Sequence, residues 1–102
     1  MKAMKASMCV AALALALSLG APAHARQDEA TRLDEKVSAL YEAGKFAAAL
    51  PLAKQALALR EKALGPNDAK TALSINTLAL VYYNQGRYAE AEQLYKRSLA
   101  IS

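Results

Sequence analysis

Histidine and cysteine are almost missing from this chain. Among 102 residues there is one of each, Cys9 and His24. Both lie in an N-terminal stretch that reads as a secretory signal. Lys2 and Lys5 give a positive start, and Met8 to Leu19 is apolar except for Ser18. Gly20 and Pro22 break the helix, and Ala23-His24-Ala25 offers the small residues that a signal peptidase accepts. Cleavage is expected after Ala25. Residues 26–102 then hold neither thiol nor imidazole. That excludes an internal disulfide and leaves no soft or borderline ligand for zinc or haem. It also excludes a Ser-His or Cys-His nucleophile pair. No cofactor, metal or catalytic residue is expected.

Other absences narrow the function further. The apolar run falls short of the roughly 20 residues that span a bilayer, so the membrane is met only transiently, during export to the periplasm or beyond. A retained anchor is the alternative. A lipoprotein acceptor would follow the apolar run, whereas Cys9 stands near its start. Without Lys2 and Lys5 the chain has 11 basic and 9 acidic residues, interleaved with no run of one sign, which describes a solvated surface and no nucleic-acid stripe. The four glycines are scattered and form no phosphate loop. Carboxylates do come in pairs, Asp34 with Glu35 and Glu90 with Glu92, but helix neighbours point in different directions, so the chain reads as a non-enzyme.

What is present is a repeat. A shift of 42 lays Tyr41 on Tyr83, Gly44 on Gly86, Ala47 on Ala89, Ala49 on Ala91, Leu52 on Leu94 and Leu57 on Leu99. Lys45 falls on Arg87 and Phe46 on Tyr88. Alanine matches mean little in an alanine-rich chain, whereas an ungapped Tyr-x-x-Gly-basic-aromatic core means much more. Each unit reads as two helices. Ile75, Leu78, Ala79 and Tyr82 recur at the spacing of one buried helical face. Gly86 can take the left-handed conformation that ends a helix. Between the units, Gly65-Pro66 stops one helix and Asn67 or Asp68 can cap the next. β-Branched residues are few and no strand is expected. Helices are placed at about 30–43, 46–64, 68–84 and 87–102. The domain plan is a signal at 1–25 and a helical domain at 26–102, with units at about 31–64 and 73–102 and a linker at 65–72.

These features resemble the tetratricopeptide repeat, in the 42-residue variety of kinesin light chains and many bacterial repeat proteins. Ser74 to Ala79, Tyr82, Gly86 to Glu92 and Leu94 to Ile101 carry the resemblance, with Glu61 to Pro66 as linker. It covers about Leu33 to Ser102. The departures are Asp68-Ala69 where the family often has His-Pro, Thr77 for a frequent asparagine, and Lys36 where the second unit has Leu78. Ala53 stands where the second unit has Tyr95, which suggests a thinly packed first hairpin. The resemblance implies an all-α fold, two antiparallel hairpins stacked as a short right-handed solenoid. It implies a non-catalytic scaffold that binds protein in a concave groove. The groove positions it implies are Asn76, Leu80, Tyr83 and Asn84 in the second unit, and Asp34, Ser38, Tyr41 and Glu42 in the first. The first-unit stripe is acidic and would favour a basic or neutral peptide, or a partner helix. The basic clamp of chaperone-binding relatives is absent.

Three or so repeats usually make a stable array, and two hairpins leave an apolar C-terminal end open. A homodimer through that end, docking on another protein, or membership of a longer array would each cover it. The sequence alone favours the longer array over the dimer. A structural or self-associating envelope role is the alternative to the binding scaffold.

Overall fold

A computed structural model describes residues 23–101. They form four helices, α1 (Ala23–Glu42), α2 (Phe46–Leu64), α3 (Ala69–Asn84) and α4 (Tyr88–Ile101), with no strand among the described residues. The signal reading falls mostly on residues outside this range; only Ala23 to Ala25 are included, as the start of α1. That helix begins well before the expected residue 30. No glycine or proline interrupts Ala23 to Thr31, and Ala, Arg, Gln and Glu are strong helix formers.

The two hairpin turns are copies of each other. Gly44, at φ 75°, donates its N–H to Tyr41 O at 3.0 Å, and Lys45 N–H reaches Leu40 O at 2.8 Å. In the second unit Gly86, at φ 78°, donates to Tyr83 O at 3.0 Å, and Arg87 N–H reaches Tyr82 O at 2.9 Å. This paired bonding over a left-handed glycine is the Schellman ending, which satisfies carbonyls that the helix leaves bare. The ring packed on each turn is also repeated, Tyr41 on Phe46 and Tyr83 on Tyr88, both edge to face.

The linker is held at both ends. Gly65 N–H bonds Glu61 O at 3.0 Å, Asp68 Oδ1 accepts from Lys70 N–H at 2.8 Å as the N-cap of α3, and buried Thr71 Oγ1 donates to Gly65 O at 2.8 Å.

Each helix packs chiefly on its sequence neighbours, α1 on α2, α2 on α3, α3 on α4. Alanines make the middle contact possible. Ala49, Ala53 and Ala56 on α2 are all buried, and they let α3 bring Ile75, Leu78, Ala79 and Tyr82 close. Ala53 is therefore not a gap in a thin hairpin, as its size suggests in the sequence; the neighbouring helix fills the space. Tyr82 is flanked by two cations, Arg87 at 4.6 Å and Lys54 of α2 at 5.8 Å from its ring centre. Lys36 is exposed where its counterpart Leu78 is buried. One local rule is broken: Pro51 lies inside α2, where it removes the hydrogen bond to Ala47 O, and it does so on the exposed side.

Candidate functional site

The first helices of the two units, α1 and α3, run side by side, and the furrow between them is the candidate site. Its α1 wall is Thr31, Asp34, Val37, Ser38, Tyr41 and Glu42; its α3 wall is Lys70, Leu73, Thr77 and Leu80. It holds two adjoining hollows of about 200 and 180 Å³ that share Thr77. Spacings of three and four residues put each wall on one helical stripe. Leu73 and Leu80 are exposed apolar groups on this wall, and Val37 forms part of the floor.

Charge is managed beneath the furrow. Arg60 reaches up from α2, with its side chain only 12% exposed, to pair with Asp34 Oδ2 and donate to buried Ser74 Oγ at 2.6 Å. This one guanidinium therefore links α1, α2 and α3, and Asp34 is neutralised. The stripe is less acidic than its sequence suggests: Glu42 carries negative charge at one end, and Lys70 carries positive charge at the other. At the Glu42 end, Asn84 Nδ2 donates to Tyr41 Oη at 2.9 Å and to Leu80 O at 2.8 Å. That amide hydrogen-bonds the two walls together and is occupied before any ligand arrives.

The eight residues singled out in the sequence divide among three surfaces. Asp34, Ser38, Tyr41, Glu42 and Leu80 line the furrow, with Asn84 bonded across its mouth. Asn76 lies instead in a hollow with Asn67, Ser98 and Ile101. Tyr83 lies at the C-terminal end with Tyr88, Tyr95 and Leu99. The reason is geometric. Residues related by the 42-residue shift occupy the same side of their own helices. Asp34 and Tyr41 stand on the edge of α1 that faces α3, so their equivalents Asn76 and Tyr83 stand on the edge of α3 that faces onward, while the positions between the two edges serve both: Ser38 and Glu42 in α1, and their equivalents Leu80 and Asn84 in α3. The α3 stripe turned back towards α1 is Lys70, Leu73, Thr77, Leu80 and Asn84. The missed residues were Thr31, Val37, Arg60, Lys70, Leu73 and Thr77. Counting 3 and 4 back from Leu80 would have found Thr77 and Leu73; nothing local points to Arg60.

The C-terminal end is a broad hollow of about 650 Å³ on α3 and α4, walled by Tyr83, Tyr88, Ala91, Tyr95 and Leu99, with Glu92 and Lys96 beside it. Burial raises the Tyr95 phenol pKa above its ordinary value, and Tyr41 and Tyr83 push the same way. Arg87, on the turn below, is held in its charged form by a two-pronged bond to Glu90 at 2.7 and 2.8 Å. Glu61 of α2 and Arg97 of α4 pair at 2.7 Å. Among the described residues no helix is long and apolar enough to cross a membrane, and no three His, Cys, Asp or Glu residues cluster as metal ligands would.

No curated protein matches the chain. Residues 29–102 match the sequence model of the tetratricopeptide repeat.

Proposed function

The chain belongs to the tetratricopeptide repeat family, whose repeats generally serve as non-catalytic scaffolds for protein–protein interaction, and from that premise we propose that it is an exported scaffold which holds a protein segment in the furrow between α1 and α3. The observation that carries this is the furrow itself, two walls of one stripe each with exposed Leu73 and Leu80 beside the hydroxyls of Ser38, Tyr41 and Thr77. Apolar side chains give contact area, while Ser38, Thr77 and Tyr41 supply polar groups that can bond a peptide backbone. With Asp34 paired to Arg60, the segment is neutral or carries its basic end towards Glu42. The 42-residue period supports the kinesin-light-chain variety of repeat. The leader at 1–25 supports cleavage after Ala25 and a periplasmic or secreted protein of 26–102, with units at about 31–64 and 73–102.

Photo-crosslinking tests the furrow. A crosslinker at Ser38 or Leu80 is expected to capture a partner in the cell envelope, and one at exposed Ala48 on α2 is not. Equal capture at all three positions overturns the furrow. An N-terminus at Arg26 on the envelope form tests the export reading. A second reading, self-association as an envelope structural protein, is favoured by the uncovered apolar end.

A further inference from the structure

The two ends of the solenoid are not equivalent. On α2 the positions Ala49, Ala53 and Leu57 are buried under α3; Leu57 is 7% exposed. The same positions on α4 are Ala91, Tyr95 and Leu99: Ala91 is buried in the chain's own core and Tyr95 is partly buried against it, but the outer side of this face is open and Leu99 is 74% exposed. Tyr83 and Tyr88 extend this face.

We propose that a second copy of this chain covers this face, with α4 packed antiparallel on α4 about a two-fold axis near Leu94. The inference rests on the self-association reading of the open end and adds its symmetry and register. Three observations lead to it. The face carries both signs on one helix: Glu92 and Lys96 stand one turn apart beside the hollow, 3.3 Å from each other. A two-fold axis near Leu94 sets each Glu92 opposite Lys96 of the second copy, because positions two before and two after the axis are interchanged. The face is also self-complementary in shape. With a rise of about 1.5 Å per residue, the same axis brings Leu99 of one copy between Tyr88 and Ala91 of the other. The most exposed apolar side chain then enters the space left by the smallest, and the two Tyr95 rings meet near the axis. The seam Tyr88, Ala91 or Glu92, Tyr95, Leu99 has the spacing that antiparallel helices pack on.

Head-to-tail stacking is opposed by the third observation. There, α1 of one copy would lie on the open end of the next, as α3 lies on α2. The position of buried Leu78 would be filled by Lys36, and an ammonium would enter an apolar hollow. The two-fold arrangement leaves Lys36 in water.

The test uses the purified protein, in the form the expressing cell leaves it, followed by sedimentation across a dilution series. The wild type is expected to be a dimer that dissociates on dilution. E92K alone and K96E alone each place like charges across the axis twice, and each should weaken the dimer by about tenfold or more. An equimolar mixture of the two variants should dimerise again, because every cross-axis pair in the mixed dimer is then opposite in sign. Contacts within one chain cannot produce that recovery. A wild type that stays monomeric at high concentration overturns self-association altogether. A wild-type dimer with no recovery in the mixture overturns this register and leaves self-association standing. Assemblies that keep growing with concentration overturn the two-fold in favour of stacking. Should either charge variant lose helicity by circular dichroism, Leu99→Asp at a site with no core contact replaces it, and a full-strength dimer in that variant overturns the proposed face.

Discussion

The α2–α3 junction and the α4 face occupy the same positions of the repeat, one covered and one bare. At the covered junction, side chains have become small: three alanines let a helix in. The bare face differs in bulk at one position: Tyr95 stands where Ala53 does, whereas Ala91 matches Ala49 and Leu99 matches Leu57. The period specifies which side of a helix is apolar, and at one position the bulk differs between the two surfaces, alanine at Ala53 under α3 and tyrosine at Tyr95 on the open face.

Several substitutions would break that comparison. The largest effect is expected from Ile75→Ala at the covered junction. Ile75 is wholly buried, and its truncation should cost about 2–4 kcal/mol in urea unfolding. Leu99→Ala in dilute protein, where no partner can cover the face, should cost under about 0.5 kcal/mol. Equal losses would mean the bare face is packed in solution even at low concentration. Next in size are the two interhelical arginines. Arg60→Ala leaves Asp34 and buried Ser74 without their shared donor and should cost about 1–3 kcal/mol. Arg97→Ala breaks a pair whose side chains are each 37% exposed, and the loss should stay under about 1 kcal/mol after solvent screening. Pro51→Gln copies the second unit's Gln93 into the first and returns a helix hydrogen bond. A gain on the order of 1 kcal/mol in thermal unfolding is expected, less than the full proline penalty because the site is exposed.

The smallest effect is in alkali. The Tyr95 phenol has its pKa raised in the folded chain, mainly by burial. An acid whose folded value lies above its unfolded value contributes stability that is fully present below the unfolded value, about 10 for tyrosine. That contribution is lost as pH rises through the folded value. Melting curves taken from about pH 9 upward should show the wild type losing more stability than Tyr95→Phe; parallel decline in both would assign the loss to other groups.

Much of the fold was legible in the chain. The shift of 42 marked both hairpins, Gly44 and Gly86 marked both turns, and Asn67-Asp68 marked the cap of α3, which Asp68 forms; turns and cap depend on residues a few places apart. The furrow was only half legible. Asp34, Ser38, Tyr41 and Glu42, the groove positions that the family resemblance implied for the first unit, do lie along its α1 wall. Repeat equivalence carried Leu80 and Asn84, the counterparts of Ser38 and Glu42, to the second wall correctly, whereas Asn76 and Tyr83, the counterparts of Asp34 and Tyr41, sit on the edge of α3 turned away from α1. Arg60 was out of reach for another reason: its partners stand 26 and 14 residues away, at distances where periodicity carries no information. The early start of α1 shows the limit of reading boundaries from caps, since good helix formers extend a helix past any residue that could have begun it.

The linker between the hairpins has a consequence for recognition. Gly65, Asp68 and Thr71 each spend a hydrogen bond on holding the passage from α2 to α3, so the angle between the hairpins is fixed by these linker residues before anything enters the furrow. A receptor with that angle fixed loses little freedom on binding, and the ordering cost falls on its guest. Where the furrow holds a segment as proposed, discrimination works as a ruler does, by accepting segments whose side chains already repeat at the spacing of the walls.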